Sequence, residues 1–367
     1  MTSFTLPKWY DLHVHLRQGA GMKAYVQAHL DMGCVGVLAM PNTKPPVGKV
    51  LKSDPLDEYW SIEDYLGMIK EDGGDTFDDI IVPLYLTKDT TPKMVEEGAA
   101  SGLLRAAKYY PPHGTTNADH GRPLQNYIDN DVFKAMADNG VVLCVHGEEH
   151  GLEGPDFFDK NKTAEEVFYT ERLPKVRDAY PDLKIVGEHL TTKTAAEFVQ
   201  QSGENTAGTI TPQHLLYTVG HLLQGLKYHL YCLPLLKFEE DRAALRAAAI
   251  DPNNTKFFAG TDSAPHTTKC TPCGCAAGCF TGEIAPQLYA QAFEESGCDL
   301  SDETNQKIFA KFLCSIGPDF YGLKHSDETF TLTRKPQKVE MLKTEDGDVT
   351  PLPLGLEQHT IPWSLTL

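Results

Sequence analysis

Short β-branched or apolar runs alternate with amphipathic stretches along most of this chain, and few folds accept that alternation. Candidate strands are Trp9–His15, Cys34–Met40, Ile80–Leu86, Leu103–Tyr109, Val141–His146, Lys184–His189, Gly208–Thr211 and Phe257–Thr261. Helical patterns lie between several of them. Thr192 is a plausible cap for the stretch that follows it, and Glu239–Ile250 is rich in Ala, Leu and Arg. Strand–helix alternation at this density predicts a parallel α/β sheet, and eight candidate strands fit a closed (β/α)8 TIM-type barrel. A doubly wound open sheet is the alternative, but no Gly-rich dinucleotide fingerprint follows the first strand. A chain of 367 residues has room for one large barrel with decorations. Residues 1–330 are assigned to that barrel. Residues 331–367, richer in Pro, Asp and Thr, are assigned to a C-terminal extension wrapping it. The stretch Gly151–Asp182 after the fifth strand reads as an insertion of no legible function.

The chemistry is concentrated where those strands end. His13, His15, Asn42, Lys108, His146, His189 and Asp262 each fall at or just beyond the C-terminal end of a candidate strand. In a barrel those ends converge on one mouth, where active sites are built. Side chains alternate along a strand, so the His13-Val14-His15 pair presents two imidazoles to one face, a natural half-site for Zn²⁺. By itself the pair is equally a strand with two incidental histidines. Arg17 continues the face, where a cation beside a metal could hold an anionic substrate. Lys108 ends an apolar strand, where burial would lower its pKa. A neutral amine there can add CO₂ to form a carbamate able to bridge two divalent ions; the alternative is a lysine that snorkels to solvent.

Composition narrows the partners. A formal net charge of −18 argues against nucleic-acid or anionic-membrane binding. An anionic substrate would therefore need a locally positive pocket, which metal ions and Arg17 could supply. No apolar run reaches membrane-spanning length, and Met1–Lys8 lacks a basic patch followed by an apolar core. A cytoplasmic location is therefore expected. The nine cysteines are odd in number, which speaks against a disulfide framework. Cys270, Cys273, Cys275 and Cys279 cluster, but not in paired CxxC spacing, so reduced thiols in a Gly-rich loop are favoured over structural zinc. Cys34, Cys144 and Cys232 read as buried small hydrophobes. His29, His221, His229 and His325 read as surface or loop residues.

The chain closely resembles the dihydroorotases of the short, single-domain type within the amidohydrolase superfamily. The matching segments are DLHVHLRQG (11–19), MPNTKPPV (40–47), AAKYYPPHGTTN (106–117), VHGE (145–148), EHLTTK (188–193), ITPQHL (210–215), YCLPLLK (231–237), GTDSAPH (260–266) and CGCAAGCF (273–280). Phe-Tyr-Gly (320–322) also fits, and the segments run in the family's order. The resemblance implies two Zn²⁺ ions per subunit. His13, His15 and Asp262 would bind one, His146 and His189 the other, and carboxylated Lys108 would bridge them together with a hydroxide. It implies that Arg17, Asn42 and His266 hold the substrate's carboxylate, that the Leu233 backbone contacts its ring, and that Thr115 and Thr116 ride on a mobile lid. An alanine backbone contact falls on Ala276 or Ala277, with Ala276 taken. Asp262 would act as general acid and base in the reversible closure of N-carbamoyl-L-aspartate to L-dihydroorotate, a step of pyrimidine synthesis. A homodimer is the family expectation.

Two other readings compete. A hydantoinase or allantoinase would share the two-metal chemistry, but a neutral ring offers Arg17, Asn42 and His266 no carboxylate to grip. A non-catalytic scaffold would be expected to lack ligands that are all present here. Asp11 reads either as a support for a ligand imidazole or as a strand-start polar residue. His214 reads as a packed or supporting histidine.

Overall fold

In the computed structural model, which describes residues 2–272 and 274–367, the expected strands form the parallel wall of a barrel. They are β1 (Trp9–Val14), β2 (Cys34–Ala39), β3 (Asp79–Ile81), β4 (Leu84–Tyr85), β5 (Ala106–Tyr109), β6 (Val142–Val145), β7 (Ile185–Gly187), β8 (Thr206–Ile210) and β9 (Phe257–Ala259). The third expected strand, Ile80–Leu86, is divided. β3 completes a β1-β2-β3 sheet and β4 opens the run β4-β5-β6-β7-β8-β9. Pro83 lies at the division, and without an amide N–H it cannot donate to the ladder.

The barrel closes at its mouth. Val14 bridges Ser263, His15 N donates to Ser263 O (3.0 Å) and Asp262 N donates to His13 O (2.8 Å). The seam between the first and last strands thus brings the His-x-His pair beside Asp262, some 250 residues away in sequence.

Period-two alternation sorts the wall into two faces. Tyr10, Leu12, Leu38, Met40, Ile81, Ala106, Val142, Cys144, Val186, Ala207 and Phe258 pack together inside the barrel with Phe320 and Tyr321 against them, joined by Val35, which lies before the alternation of β2 sets in. The intervening Val37, Ala39, Ala107, Leu143, Val145, Ile185, Ile210 and Phe257 belong to the larger core shared with the helices. That register directs Lys108, His146, Glu188 and Thr209 inward. β1 departs from it. Tyr10 and Leu12 face the interior, yet Val14 packs on the helix side, across a register irregularity between Asp11 and Val14. Such a break re-aims the residues that follow it, and here it turns His13 and His15 to the mouth.

Beyond the wall, Thr329–Thr333 lies between the N-terminal strand Ser3–Pro7 and Ser364–Thr366, both antiparallel to it. No helix among the described residues is long and apolar enough to cross a membrane. His29, expected at the surface, is buried: it lies on the helix Met22–Asp31, its Nδ1 donates to Tyr25 O (2.7 Å), and that face of the helix packs on the wall. Cys34, Cys144 and Cys232 are buried as expected. Cys270 is exposed, Cys275 half-buried and Cys279 buried; Cys273 lies outside the described residues.

Candidate metal centre and substrate cavity

The mouth is built from strand ends whose backbone leaves the extended region. His189 and Asp262 have positive φ (41° and 49°), a conformation that costs a non-glycine residue energy and recurs at functional sites. By alternation from Val186 it is Glu188, not His189, that points inward. The left-handed turn at His189 is what brings the imidazole to the mouth as well.

His13, His15 and Asp262 form a compact donor set, with one ligand atom from each lying within 4.8 Å of the others. His15 Nε2 is 2.9 Å from Asp262 Oδ1 and His13 Nε2 is 3.4 Å from it. The next rings continue the group: His13 to His189 and His189 to His146 have centroids 4.9 and 4.8 Å apart. Among the described residues, the only group of three or more potential donors converging to this degree is His13, His15 and Asp262. His146 and His189 stand beside it, with His146 Nε2 donating to Glu148 Oε2 (2.8 Å).

Protonation states suit ligation. Burial lowers the His15 pKa to about 4 and holds His189 well below the usual imidazole range, so both are neutral near pH 7. Burial opposes ionisation of Asp262, but the His15 hydrogen bond and the charges around it bring its pKa down to about 2. Lys108 is fully buried and its Nζ has no hydrogen-bond partner; burial lowers its pKa too. An ammonium is costly in such a position. His189 Nδ1 and Glu188 Oε1 are likewise buried without partners. Neutral imidazoles, an ionised carboxylate and orphaned buried polar atoms fit a site that holds divalent metal.

Above this group lies a small cavity lined by His13, His15, Arg17, Asn42, Tyr110, Thr115, Thr116, His146, His189, Leu233, Asp262, Ala264, Ala277 and Gly278. Nε of Arg17 is buried and has no partner. Asn42 Nδ2 donates to Thr116 O (3.0 Å) and Asn117 Nδ2 donates to the backbone O of Asn42 (2.9 Å), so two side chains tie the Thr115–Thr116 loop to Asn42. His266 is half-buried just outside the residues that line the cavity, donating from Nε2 to Ala277 O (2.8 Å); burial, with the Arg17 charge beside it, lowers its pKa to about 3. Ala276 turns the other way, its carbonyl accepting Lys269 Nζ (2.6 Å), while Ala277 borders the cavity.

Asp11 faces the ring of buried His29, whose Nε2 lies 3.4 Å from its Oδ2, rather than a candidate ligand imidazole. Its carboxylate accepts from Thr261 N (3.0 Å) and Thr261 Oγ1 (2.6 Å), bracing the turn that carries Asp262. His214 is buried between Thr211 Oγ1 (2.7 Å) and Pro234 O (3.2 Å), next to Leu233. The stretch 151–182 reaches the site from outside: buried Glu165 accepts from Thr191 N (3.1 Å) and Thr191 Oγ1 (2.7 Å), just past His189. Tyr110, Ala264, Gly278, Glu188 and Glu165 were not singled out from sequence. Alternation from Val186 was the available signal for Glu188.

No protein-family model matches the chain. It is 39% identical to a dihydroorotase of Halorhodospira halophila over 369 residues, covering 100% of this chain and 99% of the relative. It is 41% identical to one of Shewanella amazonensis, covering 92% of each. Among solved structures, the Saccharomyces cerevisiae dihydroorotase in complex with 5-fluoroorotic acid superposes with a TM-score of 0.84 at 27% identity, over 100% of this chain and 99% of that one. An Arthrobacter aurescens L-hydantoinase superposes at 0.75 with 13% identity, over 99% and 83% of the two chains, which shows a shared fold and no more.

Proposed function

Because this chain belongs to the dihydroorotase family of cyclic amide hydrolases, we propose that it interconverts N-carbamoyl-L-aspartate and L-dihydroorotate with two Zn²⁺ ions. The observation that carries this reading is a metal-donor set and a half-buried Arg17, whose buried Nε has no partner, facing one cavity. His13, His15 and Asp262 would hold one ion and His146 and His189 the other, with N6-carboxylated Lys108 between them. The neutral amine that burial favours at Lys108 is the form that adds CO₂.

When bound, the metal pair supplies Lewis-acid activation of water and of the scissile carbonyl. The chain's own residues do the rest. Asp262, ionised and held by His15, accepts a proton at Oδ and returns it to the departing amide nitrogen during ring opening; closure runs the transfer backwards. Arg17 grips the substrate carboxylate through paired charge-assisted hydrogen bonds, with Asn42 and His266 beside it. Leu233 and Ala277, the latter in place of Ala276, offer backbone groups to the ring. Thr115 and Thr116 cover the substrate and exclude water. A homodimer in the cytoplasm, with a small-molecule substrate and no nucleic-acid or membrane partner, completes the proposal. It rests on the family resemblance and the net charge of −18.

The test is turnover of L-dihydroorotate beside hydantoin, before and after chelation. Chelator-sensitive turnover of dihydroorotate alone is expected. Turnover of hydantoin instead would keep a cyclic amidase but discard the carboxylate pocket. Failure on both, with zinc and bicarbonate restored, would overturn the reading.

A further inference from the structure

Glu188 is a fully buried carboxylate with no assigned part in the reaction. Its Oε2 accepts two hydrogen bonds, from His13 Nδ1 (2.7 Å) and from Thr209 Oγ1 (2.7 Å). The same Thr209 hydroxyl, while donating to Glu188, accepts from the backbone N of His189 (2.7 Å). An unbroken chain therefore runs His13–Glu188–Thr209–His189, joining one histidine of each proposed metal position through the barrel interior.

Each link has a chemical consequence. An ionised carboxylate only accepts, so the hydrogen of His13 resides on Nδ1 and the lone pair on Nε2, the nitrogen that faces Asp262. A carboxylate behind an imidazole also makes the ring a stronger donor to a metal. At the other end, the His189 backbone is in the left-handed region (φ 41°), and the Thr209 hydroxyl anchors its amide there. We propose that Glu188 and Thr209 are positioning residues: Glu188 selects the His13 tautomer, and Thr209 locks Glu188 and the His189 turn into one unit, so that retention of the two metal ions is coupled through them.

The inference rests on the two-metal reading, and the experiment separates the two. Zinc affinity is measured by chelator competition on wild type, Glu188→Gln, Thr209→Val and Thr209→Ser, with the absorption spectrum of the Co²⁺-substituted proteins as a readout independent of turnover. Glu188→Gln keeps the shape and removes the charge, and it is expected to weaken zinc retention about 10- to 100-fold. Thr209→Val is expected to weaken it and to alter the Co²⁺ spectrum, while Thr209→Ser, which keeps the hydroxyl, restores both. A folded Glu188→Gln protein that retains zinc within twofold of wild type overturns the assignment. Should that variant fail to fold, the Thr209 pair decides, and equal retention by Val and Ser overturns it. Wild type that holds no zinc refutes the metal reading itself, and this inference with it.

Discussion

Glu165 is a buried acid whose protonation can be followed through stability. It sits in the short helix Ala164–Val167, fully buried, under the Thr191 segment. Burial pushes its pKa from 4.5 up to about 7, against the charge of Lys237 and the hydrogen bonds of Thr191 and Thr192, with Glu148 adding repulsion. An acid whose folded pKa is raised favours folding while protonated. Its contribution is full below pH 4.5, where the unfolded chain is protonated too, and is lost as pH rises through 7. At about 1.4 kcal/mol per pH unit, ionising Glu165 in the fold costs about 3 kcal/mol, of which about 2 kcal/mol falls between about pH 5.5 and 9. A chain this long gains roughly 0.8 kcal/mol/K of entropy on unfolding, so that loss amounts to about 3 °C in Tm. Glu165→Gln cannot ionise. Calorimetric melts of zinc-loaded wild type and variant across this range should diverge by about that amount, with the variant gaining as pH rises. Parallel curves would refute the argument and mean that Lys237 holds Glu165 ionised in the native state.

Arg17→Met removes the paired hydrogen bonds proposed for the substrate carboxylate. At about 1.5 kcal/mol or more for each charged hydrogen bond, kcat/KM for dihydroorotate should fall about 100-fold or further, as steady-state kinetics would register. Full retained activity would contradict the carboxylate pocket. Gly36→Ala tests the wall: an added Cβ would lie 2.5 Å from both Asp79 O and Tyr10 Cε1, in a strand held in register by β1 and β3. Overpacking of that kind should cost about 1–3 kcal/mol and lower the melting temperature, whereas an unchanged Tm would show that the wall can yield.

Strand positions were legible because each strand of the wall carries its own signal, an apolar run closed by a polar residue. β1, β2, β5, β6, β7 and β9 lie within or at the expected runs, shortened at one or both ends, and β8 starts two residues before its own. The third run failed as one piece because Pro83 divides its ladder between two sheets, and no local property says which neighbour each half will find. His29 was misplaced for a related reason: which face of a helix packs on the wall depends on that wall. Ala276 and Ala277 are indistinguishable in composition, and only the path of the backbone over 275–278 turns one of them to the cavity.

What the sequence determined by itself is the inventory: a parallel α/β barrel, with imidazoles, a lysine and a carboxylate at the ends of its strands. Those are local facts, written in period-two alternation and in the residue that ends each run. The tertiary structure decided how that inventory is used. It stitched His13 and His15 to Asp262 across the seam, re-aimed β1 at its register irregularity, and turned His189 and Asp262 into the mouth through positive φ. It also set Glu188 and Thr209 between two histidines, though nothing near either residue in sequence announces a partner. Alternation is a property of neighbouring peptide units, whereas the direction of a strand end and the partner of a buried carboxylate follow from chain closure.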